Sequence, residues 1–178
     1  RTASVDYIEI TVYYTNPLPT ITNFTPNNAC VNSGNTVTIT GTNFTGATNV
    51  SFNGTTATFT VNSNTQITAV LPNSASTGNI SVTTPNGTAN STTSFTVNAL
   101  PTVNPITGNT ILCPNTSTIL SSTTTGGTWS SANPSVATIN SSGQVSALTA
   151  GSSVITYTIT DGNNCSNTAN TTITVQTA

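Results

Sequence analysis

The stretch "TVTITGTNF", Thr36 to Phe44, sets Val37 and Ile39 against threonines at every second position. A period of two built from β-branched residues fits a half-buried strand, one face in a core and the other in water. The same alternation recurs in "NVSFNG" (Asn49–Gly54), "NISVTT" (Asn79–Thr84), "SVITYTIT" (Ser153–Thr160) and "TTITVQ" (Thr171–Gln176). Helical signals are absent. Turn dipeptides separate the strands: Asn53-Gly54, Asn86-Gly87, Asp161-Gly162 and the Gly126-Gly127 pair. Many short strands divided by frequent turns predict an all-β chain built of β-sandwiches.

Composition narrows the function. Only Arg1, Asp6, Glu9 and Asp161 are charged, 2 % of 178 residues, where ordinary domains carry about 25 %. Disorder would also require low hydrophobicity, and 34 % of this chain is hydrophobic, so it is expected to fold. A net charge of −2 offers no basic face to nucleic acid or anionic lipid, and no run approaches 18 apolar residues. His and Lys are absent, which excludes Ser-His-Asp and Cys-His catalysis. The three carboxylates are scattered and the three Cys lack C-x-x-C spacing, so neither a calcium nor a zinc site is expected. The chain reads as non-enzymatic, without metal or cofactor. A surface of Thr, Ser and Asn with no Lys points outside the cell. With neither an initiator Met nor a signal peptide, Arg1 reads as a cut inside a longer precursor.

The junctions suggest an array. "NPLPT" (Asn16–Thr20) returns as "NALPT" (Asn98–Thr102), 82 residues later, each after a Thr-Val strand end at Thr11-Val12 and Thr96-Val97. A third Thr-Val stands at Thr174-Val175. A fixed interval of this size marks tandem modules, and Pro at each junction stops strands running on. The expected organisation is residues 1–15 as the last strand of a preceding β domain (or a donated strand), 16–98 as one sandwich and 99–178 as a second.

The stretch "GTWSSANPSVATINSSGQVSALTAGSSVITYTI" (Gly127–Ile159) resembles the group 2 bacterial immunoglobulin-like domain through Trp129, Asn133, Pro134, Val136, Ala137, Gly143, Val145, Ala147 and Gly151. Ile139 stands where that family often has Val. The earlier module resembles the IPT/TIG immunoglobulin-like fold. It does so through Phe24-Thr25-Pro26, the run Thr38 to Phe44, Val50-x-Phe52-x-Gly54 and Pro72. The pairing in a Thr/Asn-rich, Lys-free chain resembles the giant repeat-built surface proteins of Bacteroidota, gliding-motility adhesins among them. The resemblance implies tandem immunoglobulin-like β-sandwiches acting as a stalk or adhesive fibre, and it carries over no active-site residues.

Single residues then take readings. Trp129 is either a sugar-stacking platform or a core anchor, and the family pattern favours the core, as it does for Phe24, Phe44 and Phe52. Cys113 and Cys165 flank the second module and are expected to form a disulfide closing a loop of about 50 residues, worth about 4 kcal/mol on the chain-entropy model. Cys30 is left over, as a buried free thiol or one pairing outside the chain. A threonine face ordering ice would need register over many strands, and the pattern breaks at Phe44, Phe52 and Phe59 while sheets twist. In "SVDYIEITVYY", Ser4 to Tyr14, both faces are apolar, so the strand is expected to complete a sheet of a preceding domain or another chain.

The expected protein is an extracellular spacer or adhesive fibre segment. Its partners are adjacent domains of the same polypeptide or neighbouring filament subunits, with surface glycans or other cells as further candidates and no nucleic acid. The rival classes are a carbohydrate- or protein-binding module, marked by an exposed aromatic cluster, and a subunit polymerising by strand donation.

Overall fold

The structure, a computed structural model, describes residues 16–177. Arg1, Asp6, Glu9 and the Ser4–Tyr14 segment lie outside the described residues, and with them the expectation that this segment completes a sheet. Among the described residues there is no α-helix and hence none long and apolar enough to cross a membrane.

Contacts divide the chain into two units. The first contains the described residues up to Asn27 together with Gly34–Thr96. Its strands are β1 (Thr20–Thr25), β3 (Thr36–Thr42), β4 (Asn49–Phe52), β5 (Thr55–Thr56), β6 (Thr58–Ser63), β7 (Gln66–Val70), β8 (Gly78–Thr84) and most of β9 (Gly87–Asn98). One sheet runs β1-β3-β7-β6. The other runs β9-β8-β4-β5, and the short β2 (Asn28–Cys30) belongs to the second unit.

Register explains why the alternation folds this way. Phe24, Ile39, Ile67 and Val61 pair in turn across the first sheet, and all four are buried or half-buried. One residue away, Thr25, Thr38, Thr68 and Thr60 pair across the same four strands on the opposite face. Successive side chains of a strand point to opposite faces, so one row fills the core while the other meets water. Phe59 pairs with Ala69 on the inner side, so it does not interrupt the outer threonine row. That row is nonetheless only four strands wide. Phe95 touches both Phe24 and Phe52, with ring centroids 6.1 and 5.1 Å apart, the second pair edge-on. The β4–β5 turn at Asn53-Gly54 has both residues at positive φ (44° and 84°), the backbone that a two-residue hairpin demands.

The second unit contains Asn28–Ser33 and the chain from Val97 onward. The segment around Cys30 thus groups with the later residues. Inside this unit the Val31 N–H donates to the Asn98 carbonyl (2.8 Å) and the Asn98 side-chain amide donates to Asn28 (3.2 Å).

Its remaining strands are β10 (Ile111–Leu112), β11 (Ser117–Ile119), β12 (Thr128–Ser131), β13 (Ala137–Ile139), β14 (Gln144–Ala147), β15 (Gly151–Thr160) and β16 (Ser166–Val175). They form sheets β10-β16-β15-β12 and β11-β14-β13. All pairs are antiparallel except β10–β16, which is parallel. Leu112, Leu120, Val136, Ala137, Val145, Ala147, Ile155, Ile173 and Val175 form the core. The turn after β12 is tied down locally. The Asn133 carbonyl accepts from the N–H groups of Val136 and Ala137, and Ser131 donates to the Ala137 carbonyl.

Candidate functional site

The first feature is covalent. Cys30 and Cys165 form a disulfide with Cα atoms 5.6 Å apart and a sequence separation of 135. Cys113 is free and exposed. The expected Cys113–Cys165 pair is therefore corrected, and Cys30 is no longer left over. β16 explains why. Ile111 and Leu112 pair in parallel with Thr174 and Val175, which places Cys113 beside the far end of β16, while Cys165 immediately precedes its first residue. Ten strand residues rise roughly 30 Å, far beyond disulfide reach. On the chain-entropy model a loop of the observed separation stabilises by about 5 kcal/mol.

The turn that presents Cys165 is organised by Asp161, the one charged side chain among the described residues. Its Oδ1 accepts from the N–H groups of Asn163 and Cys165, both at 2.9 Å. Its own N–H donates to the Cys165 carbonyl at 2.9 Å, and Asn164 donates to the Asp161 carbonyl at 3.1 Å. The carboxylate is thus engaged in holding backbone. The Cys165 side chain is fully buried. Sequence reasoning placed Asp161 in a turn but did not see that role; an Asp two and four residues before the N–H groups it caps was the available signal.

A second feature is an open cleft of about 330 Å³ beside Trp129, bordered by the Ser121–Gly127 loop and the Ser141-Ser142 turn. Trp129 is half-buried, packs against the core of its unit and lies opposite Tyr157 across β12–β15, ring centroids 4.5 Å apart. The buried Tyr157 hydroxyl accepts from the Gly127 N–H (2.8 Å) and donates to the Thr124 carbonyl (2.9 Å), fixing the loop. Several lining hydroxyls are spent internally. Ser122 donates to the Asn104 carbonyl, Thr124 accepts from the Asn104 N–H, and Ser142 donates to Asn140.

Phe24, Phe44, Phe52, Phe95 and Tyr157 are buried, and Phe59 and Trp129 are half-buried, so no described aromatic is exposed. No three His, Cys, Asp or Glu residues gather into a metal-binding group among the described residues.

Paired sheets over one apolar layer make these units immunoglobulin-like β-sandwiches. The chain carries an IPT/TIG domain at residues 19–97 followed by a bacterial Ig-like domain (group 2) at residues 106–175. Among solved structures it is similar to a gamma-CGTase from alkalophilic Bacillus clarkii (18 % identity, 94 % of this chain and 27 % of that one, TM-score 0.38). A second is the SGBP-B of a xyloglucan utilization locus in Bacteroides uniformis (20 % identity, 90 % and 50 %, TM-score 0.39). A third is invasin, a bacterial integrin-binding protein (14 % identity, 88 % and 38 %, TM-score 0.49). The chain spans half or less of the length of each. No curated protein matches it in sequence.

Proposed function

We propose that this chain is a non-enzymatic, extracellular spacer segment of a longer repeat-built surface fibre, with a gliding-motility adhesin as its particular setting. The withdrawal of every described aromatic from full exposure carries this reading. Recognition surfaces are rich in accessible Trp and Tyr, and a spacer has no use for them. The outer faces are hydroxyl rows such as Thr25–Thr38–Thr68–Thr60, which hold water without charge. Two immunoglobulin-like domains in tandem and a disulfide, which persists in oxidising surroundings, support the same setting. In this reading the partners are neighbouring modules.

The test has two arms. An antibody raised against residues 16–177 should label intact, unpermeabilised cells of the source organism, and the purified chain should show no retention on an array of neutral and acidic glycans. Labelling only after lysis, or strong retention of the chain by one glycan class, contradicts the spacer reading.

A further inference from the structure

We propose that the Cys30–Cys165 bond is a covalent bypass for tension: a pull applied at the two ends of the chain crosses the bond, and residues 31–164 are spared extension. All of β3 to β15 falls between the two cysteines, and so do both apolar cores apart from contributions by β1, β2 and β16. Outside the loop, the described chain consists mainly of β1 and β16. The chain outside the loop, at no more than about 3.6 Å per residue when fully pulled, therefore sets the length that the oxidised molecule can reach. Nothing inside the loop can be drawn out unless the bond breaks.

Both ends of the bond are held by their surroundings. Cys165 sits in the turn capped by Asp161, its sulfur buried from attacking thiols. On the other side, the Ser33 N–H donates to the Cys30 carbonyl, and Val31 is bonded to Asn98. Cys30 ends β2, while Cys165 precedes the last strand, so the bond encloses most of both family-matched segments. That such a bypass serves a fibre under load rests on the proposed function; the bypass itself rests only on the pairing.

Single-molecule force extension of the full chain, held through folded marker domains fused at both ends, tests it. The fully reduced chain should extend to about 640 Å on unfolding, and the oxidised chain to only about 160 Å, a fourfold restriction. Reducing the oxidised molecule while it is held should release the difference, which removes any dependence on a Cys30→Ser variant that fails to fold. Cys113→Ser should leave the restriction intact. An oxidised chain that extends to the full length overturns the proposal, as does loss of the restriction in Cys113→Ser. A restricted chain whose antibody labels no intact cells instead contradicts the spacer reading and leaves the bypass standing.

Discussion

The Tyr157 hydroxyl reaches from β15 to Gly127, accepting that residue's N–H at 2.8 Å while its ring lies against Trp129. A Cβ on Gly127 would come within 2.4 Å of Tyr157 Cζ, so glycine is what allows the loop to pass over the ring. Gly127→Ala is therefore expected to destabilise the second unit by about 1–3 kcal/mol, the usual cost of forcing atoms into a packed site. Gly162→Ala meets nothing within 4 Å and should be neutral. Chemical denaturation of both variants checks the contrast; equal midpoints would contradict it.

Tyr157→Phe leaves the ring in place and removes both hydrogen bonds to the loop. The expected loss is about 1–3 kcal/mol, since the Gly127 N–H and Thr124 carbonyl lose a part-buried partner. Trp129 is the chain's one tryptophan, so its fluorescence reports this unit alone. The fluorescence-detected midpoint should fall in the variant.

Asp161→Ala removes the oxygen that accepts from Asn163 and Cys165. With the disulfide intact, stability should drop by about 1–2 kcal/mol and reduction by a small thiol should quicken, because the turn presenting Cys165 loosens. An unchanged reduction rate would show that Asp161 does not hold the turn.

With one charged side chain among the described residues, Coulomb forces have little to act on. The melting temperature of the chain should move by no more than about two degrees between low salt and 0.5 M sodium chloride. A larger shift would mean that the four charged side chains matter more to folding than their number suggests.

What was legible in the sequence follows from the range of the interactions involved. The alternation of Val37 and Ile39 with threonines fixes strand and face locally, and Asn53-Gly54 fixes its turn within two residues. The motif around Trp129 likewise spells out β12 to β15 in sequence order. The cysteine pairing was not legible, because it depends on β10 lying parallel to the end of β16, a long-range arrangement that no local pattern encodes. The place of Phe95 in the core was illegible for a similar reason: its contacts with Phe24 and Phe52 join strands far apart in the chain. The grouping of Asn28–Ser33 with later residues was hidden because the repeat of "NPLPT" and "NALPT" marks boundaries along the chain, not contacts.

A non-reducing peptide map tests the Cys30–Cys165 bond most directly. The protein, purified from oxidising conditions and alkylated without reduction, would be cut with chymotrypsin, since no Lys or Arg follows Arg1. The expected result is a Cys30 peptide linked to a Cys165 peptide, with Cys113 recovered alkylated. A disulfide that contains Cys113, or free thiols at Cys30 and Cys165, would contradict it.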